Sequence, residues 1–175
     1  MTSGYAPLGG IIVSREIHDM MNSVPLADRW MHAYTYSGHP MCCAVGLANI
    51  EIMERERLWE RSAKMGTRLH QGLLALQKEL PAIGDVRGGK GLLCGVELVS
   101  DRGTKAGFPA DQKVGLRVRR EMEKRGLVTR IRSYPVSDGT VSEQIFLAPP
   151  LVITEAEVDR VLEAVRGAIK AVIPG

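Results

Sequence analysis

The stretch QIFLAPPLVITEAEVDRVLEAVRGAIKAV, residues 144–172, sets a strand against a helix, and its reading decides the fold. Ile145, Phe146 and Leu147 form a short apolar run closed by Pro149 and Pro150, and proline cannot continue a ladder, so the run predicts a strand that stops there. Thr154 and Glu157 stand three apart, the spacing of a capping box in which hydroxyl and carboxylate each take a backbone donor. Behind them Val158, Val161, Leu162, Val165, Ala168, Ile169 and Val172 recur at helical spacing and make one continuous apolar face. Such a face needs a sheet to lie on. From about residue 80 onward the sequence therefore predicts an α+β unit, with helices covering one side of a set of strands.

The rest of this half agrees. VRGGKGLLCGVELVS (86–100) is two apolar runs around glycines, read as a bent strand or a hairpin. A helix is predicted over 110–125 from Val114, Val118 and Met122, with Gly126 placed to end it in the left-handed conformation. Two strand candidates follow, LVTRIR (127–132) and QIFLAPP (144–150), separated by the polar insert SYPVSDGTVSE. A long helix over 59–80, with Ala63, Leu69, Leu73, Leu76 and Leu80 on one stripe, runs into Pro81, which stops it.

Residues 1–58 read differently. Gly4, Pro7, Gly9 and Gly10 make the chain open inside a turn. GGIIVS (9–14) predicts a short buried strand and REIHDMM (15–21) a short helix. A helix over 40–58 carries Ala44, Leu47, Ala48, Ile50 and Met53 at helical spacing, with many small residues that suit close packing. One strand and one helix without neighbours look like the tail of a larger α/β domain. The expected division is 1–58 for that tail and an interdomain helix, and 59–175 for a small α+β domain.

Composition excludes several classes. The 175 residues are 45% hydrophobic and 25% charged, and no apolar run approaches the roughly 20 residues of a membrane span. Residues 1–10 have no basic start and no apolar h-region, so a cytoplasmic protein is expected. Cys42, Cys43 and Cys94 are odd in number, lack zinc-ligand spacing and read as small buried hydrophobes. A net charge of +3 is too mild to argue for nucleic acid, and the basic run RVRREMEKRG (117–126) has acids interleaved as on a solvated helix face.

Three motifs invite chemistry. GDVRGGKG (84–91) comes within one residue of a phosphate-binding loop, but Gly91 replaces the hydroxyl that would hold magnesium, and the loop is expected to run from a helix into a strand, so a structural turn is the reading. In HAYTYSGHP (32–40), His32 and His39 have no carboxylate at ligand spacing and read as structural. Thr35 and Ser37 sit in a hydroxyl-rich turn that enters a helix at Pro40, the arrangement an anionic phosphate needs. Arg130 and Arg132 alternate on one strand face. They are either an edge pair facing water or a planar fork for a carboxylate, and composition does not separate the two.

Four segments together resemble one family. TSGYAPLGG (2–10) resembles the loop that follows the Schiff-base lysine of class III aminotransferases, K-G-(I/L/M)-T-S-G-Y-x-P-L-G, and HAYTYSGHP resembles their H-x-x-T-Y-S-G-H-P segment. DVRGGKGLLCGVELVSDR (85–102) is similar to their R-G-x-G-L-x-x-G-V-E-L strand, and LAPPLVITEAEVD (147–159) to their C-terminal strand and helix.

The resemblance implies a fold of mixed α/β and α+β class: the end of a type I pyridoxal-phosphate transferase large domain, bridging helices, and the C-terminal small α+β domain. It implies pyridoxal 5′-phosphate as cofactor, an amine or amino acid and a 2-oxo acid such as pyruvate as substrates, and a homodimer whose active site is shared across subunits. Thr35, with backbone at Tyr34, is then expected to hold the phosphate of the partner's cofactor. Arg130 is expected to bind the substrate carboxylate, with Arg132 in reserve because the insert after it is longer than usual in the family. Met1 matches the family's (I/L/M) position, which puts the lysine two residues before the chain starts. None of Lys64, Lys78, Lys90, Lys105, Lys113, Lys124 and Lys170 has the motif context. The chain by itself is expected to lack transaminase activity, the alternative being a lysine-free binding or dimerisation module of the same family.

Overall fold

The computed structural model describes residues 1–136 and 139–174. It divides the chain into two compact units, Met1–Arg57 and Leu58–Gly175.

The first unit contains helix α1 (Arg15–Ser23), a 3₁₀ turn (Leu26–Asp28) and helix α2 (Pro40–Arg55). Ser14 starts α1, its side chain accepting the N–H of Ile17. The segment 9–14 is not the buried strand expected from its apolar run: it has no regular structure, and Ile12 is 100% exposed. A strand needs a ladder partner, and among the described residues the first unit holds none.

The N-terminal turn lies on α2. Tyr5 N–H donates to the Thr2 carbonyl across Ser3 and Gly4, both at positive φ. Asn49 of α2 donates to the Met1 carbonyl at 2.9 Å and accepts from the Ser3 hydroxyl at 2.8 Å. Gly46 makes room for this turn, because a Cβ there would stand 2.8 Å from Leu8 Cδ2. The packed face of α2 is thus Cys42 and Gly46, whereas Ala44, Leu47, Ala48 and Ile50 of the expected stripe are exposed. The helix is apolar nearly all round, so its periodicity does not single out a face.

The second unit is a five-stranded antiparallel sheet with helices on one side. Its elements are α3 (Leu58–Glu79), β1 (Ile83–Arg87), β2 (Cys94–Leu98), β3 (Phe108–Pro109), a 3₁₀ turn (Ala110–Gln112), α4 (Val114–Lys124), β4 (Arg130–Pro135), β5 (Thr140–Leu147) and α5 (Glu155–Val172). The strands run β1-β2-β5, with β3 paired to β5 beyond β2 and β4 along the other edge of β5. Cys94, Val96 and Leu98 of β2 and Ile145 and Leu147 of β5 face the core, where they join Leu69 and Leu73 of α3, Val118 and Met122 of α4, and Val165 and Ile169 of α5. On α3, Met65 and Gly66 are buried and Ala63 is exposed.

Local chemistry fixes the joints. The Arg102 guanidinium donates to the Gln77 and Leu80 carbonyls at 2.6 and 2.7 Å and closes the end of α3. Gly126, at φ +78°, ends α4 as expected, with Leu127 N–H returning to the Met122 carbonyl. The capping box of Thr154 and Glu157 is present at the start of α5. The helix expected over 110–125 is instead broken at Lys113, which adopts φ +48° between the 3₁₀ turn and α4.

Two further expectations change. SYPVSDGTVSE is not a separator between strands but the far end of one hairpin: Ser133 pairs with Glu143, Tyr134 with Ser142 and Pro135 with Val141. Its alternating Tyr, Val and Thr residues are strand formers. Ser137 and Asp138 of that insert lie outside the described residues. Of the three cysteines, Cys42 and Cys94 are buried while Cys43 is only partly so.

Candidate functional site

The turn that enters α2 is held by its own residues. Tyr34 N–H donates to Ser37 Oγ at 2.9 Å, and Ser37 N–H returns to the Tyr34 carbonyl at 2.9 Å. Gly38, at φ +68°, then turns the chain toward Pro40, the first residue of α2. The Ser37 hydroxyl is thereby engaged in closing the turn. Thr35 at its tip is exposed, and its hydroxyl has no hydrogen-bond partner among the described residues.

Aromatic side chains lead up to this tip. Trp30 stacks on His32 with centroids 5.3 Å apart, and His32 meets Tyr34 edge-on at 4.6 Å. His39 supplies no side-chain cap to α2, which leaves the first amides of that helix without a side-chain acceptor. A free hydroxyl donor beside a helix start fits a phosphate group. Tyr34 and Thr35, the two expected cofactor ligands and neighbours in the sequence, both lie in this turn.

In the second unit Arg130 and Arg132 share the face of β4 turned away from the helices, and both are exposed. Phe146 stands opposite Arg130 and Gln144 opposite Arg132. Neither guanidinium has a hydrogen bond or ion pair among the described residues. Across the same open face a groove of about 390 Å³ passes over Gly95, walled by Leu93 and Phe146 and edged by Arg87, Glu97 and Gln144. Arg87 Nε donates to Asp85 at 2.7 Å, a bond that holds the Asp85 carboxyl below its usual range.

The glycine-rich motif contributes no phosphate cradle. Its loop joins β1 to β2, rather than a helix to a strand, and winds around Cys94, whose thiol is pushed up by burial and accepts from Gly89 N–H. Gly66 of α3 lets this loop approach, since a Cβ there would stand 2.1 Å from the Gly91 carbonyl oxygen.

One buried polar residue went unnoticed in the sequence. Glu143 is 1% exposed, accepts the Ser133 hydroxyl at 2.6 Å, and faces Gly115 in the first turn of α4. The available signal was parity: Glu143 lies two before Ile145 and four before Leu147, on the side of the strand that those residues take to the core.

Known proteins match both units in a single stretch. The family model described as Aminotransferase class-III matches residues 1–169. An adenosylmethionine-8-amino-7-oxononanoate aminotransferase of Nitratidesulfovibrio vulgaris is 37% identical over 173 residues, which is 98% of this chain and 30% of the relative. Among solved structures, a thermostable (S)-enantioselective omega-transaminase from Thermomicrobium roseum is 43% identical, with TM-score 0.83 over 98% of this chain and 36% of that one. An amine transaminase from an uncultivated Pseudomonas species, solved in its PLP-bound form, is 33% identical, with TM-score 0.85 over 98% of this chain and 36% of that one. The chain spans about a third of the length of the relatives it matches. It belongs to the class III aminotransferases, which depend on pyridoxal 5′-phosphate.

Proposed function

We propose that this chain forms the C-terminal part of a transaminase that moves an amino group from an amine or ω-amino acid to a 2-oxo acid such as pyruvate. The observation that carries the reading is the free Thr35 hydroxyl at the tip of a turn closed by Ser37, in the segment that resembles the family's phosphate-binding turn. Thr35, with backbone at Tyr34, donates to the phosphate of the partner subunit's cofactor in a homodimer. Arg130 receives the substrate carboxylate from the open face of β4, where its planar fork matches a carboxylate. Pyridoxal phosphate, when bound, supplies the electron sink for the amino-group exchange. The lysine that anchors it and moves the substrate proton belongs to the family segment that precedes TSGYAPLGG, and none of the seven lysines here stands in that context. Three cysteines without disulfides suit a cytoplasmic location.

The test is a chimera in which residues 1–175 replace the matching region of the Thermomicrobium roseum enzyme. It should bind pyridoxal phosphate and turn over an amine with pyruvate, while the chain alone should not. A chimera that folds, dimerises and binds the cofactor but has no turnover would favour the lysine-free module instead. Turnover by the isolated chain would overturn the assignment of the lysine.

A further inference from the structure

We propose that Asn49 is a positioning residue for the lysine of this transaminase: its side-chain amide clamps the turn of residues 1–5 onto α2 and so aims the segment that leads into that turn. The inference rests on the transaminase reading, in which the family's lysine stands two residues before Met1.

An amide side chain carries a donor and an acceptor on one planar group. Asn49 spends both on the same turn: Nδ2 donates to the Met1 carbonyl at 2.9 Å, and Oδ1 accepts the Ser3 hydroxyl at 2.8 Å. The Met1 carbonyl can only accept, so the amide has one orientation. Two bonds from one rigid group fix the turn in direction as well as in distance. An apolar residue at 49 makes neither bond, and an aspartate keeps only the one to Ser3.

The turn depends on this clamp. Ser3 and Gly4 follow each other at positive φ, +50° and +82°, and a serine stays in that conformation only where its surroundings impose it. The bond from the Ser3 hydroxyl to Asn49 is such a constraint. Inside the turn, Tyr5 N–H donates to the Thr2 carbonyl at 3.1 Å and the Thr2 hydroxyl to the Ala6 carbonyl at 2.6 Å, with Thr2 buried. Gly46 stands three residues before Asn49, on the same face of α2, and its bare backbone takes the Leu8 side chain.

Two residues of chain reach at most about 7 Å. A carbonyl fixed at Met1 therefore limits where the lysine's backbone can stand and the direction in which it approaches α2. Amino-group exchange needs that lysine within reach of both cofactor and substrate, and a misplacement on the order of 1 Å is felt in the rate.

Two measurements test the role. In the isotope-labelled chain, amide exchange at Tyr5 should quicken about tenfold in Asn49→Leu, while Cys43 N–H, bonded to the His39 carbonyl at the start of α2, keeps its native rate. In the chimera with the Thermomicrobium roseum enzyme, Asn49→Leu should lower kcat about ten- to a hundredfold, with the KM for pyruvate and the affinity for pyridoxal phosphate unchanged. Asn49→Asp, which loses the bond to Met1 alone, should lose as much, and it carries the measurement if Asn49→Leu does not fold. Ser3→Ala keeps the bond to Met1 and should lose less than either. Native exchange at Tyr5, an unchanged kcat, or a fall in cofactor affinity that matches the fall in kcat would each overturn the positioning role, the last because loss of structure alone produces it. A native chimera that binds the cofactor without turnover would instead overturn the transaminase reading on which the role rests.

Discussion

The hydroxyl of Ser133 donates to the buried carboxylate of Glu143 at 2.6 Å, across the same hairpin that carries Arg130 and Arg132 on its other face. A carboxylate that is 1% exposed needs such donors, because a buried acceptor left without one keeps its full desolvation cost. Ser133→Ala should therefore destabilise the second unit by about 1–3 kcal/mol, the cost of leaving a buried polar group without its partner. Glu143→Ala should cost a similar amount, and the double variant clearly less than the sum. Urea denaturation of the three variants checks this. Additive losses would show that the two side chains do not depend on each other.

Gly115 and Gly95 should respond in opposite ways to one added methyl group. A Cβ on Gly115 would stand 2.1 Å from Glu143 Oε2, and the buried acid has no route to water, so Gly115→Ala should cost about 1–3 kcal/mol through overpacking. Gly95 lies under the open groove, where a Cβ meets nothing within 4 Å. Gly95→Ala should be neutral or stabilise by up to about 1 kcal/mol, since it removes conformational freedom from the unfolded chain. Equal losses at both positions, in the same denaturation assay, would contradict the packing.

What the sequence disclosed follows the kind of signal each element carries. The capping box and stripe of α5, and the glycine that ends α4, depend on local geometry and are found where expected. The common face of Arg130 and Arg132 follows from strand alternation alone. GGIIVS failed because an apolar run becomes a strand only where a ladder partner exists, which local sequence does not record. Glu143 was hidden because its charge suggested solvent while its register placed it in the core. Thr35 and Ser37 looked equivalent as hydroxyls until the hydrogen bond from Tyr34 N–H separated the residue that closes the turn from the one left free.

Glu79 links α3 to α5 and should govern part of the acid stability. Its carboxylate accepts from Arg166 Nε at 2.9 Å and lies 2.6 Å from Lys170 Nζ, and these partners, Arg166 foremost, lower its pKa from 4.5 to about 2. A carboxyl depressed in the folded state favours folding above its unfolded value, and that contribution is lost as pH falls through the folded one. The relevant window is thus from about 4.5 down to about 2. Thermal midpoints measured across it should fall less steeply for Glu79→Gln than for the native chain. Parallel slopes would show that the pairing does not contribute to the acid limb.

Thr35 and Arg130 should fail in different ways in the chimeric enzyme, because one is assigned to the cofactor and the other to the substrate. Thr35→Ala deletes one hydroxyl donor to a charged phosphate, a bond worth about 1.5–3 kcal/mol, so cofactor affinity should drop about ten- to a hundredfold. The turn itself should survive, since Ser37 and Gly38, not Thr35, hold its shape. Excess pyridoxal phosphate should then restore most of the activity. Arg130→Ala leaves the cofactor's ligands in place and removes a bidentate grip on the carboxylate, so added cofactor should change nothing. Its effect should appear as a raised KM for pyruvate, with little change for amines that carry no carboxylate. Cofactor titration and steady-state kinetics on the two variants decide the matter. If excess cofactor rescues Arg130→Ala, or fails to rescue Thr35→Ala, the roles are misassigned; if only Arg132→Ala shows the selective loss, the carboxylate belongs to Arg132.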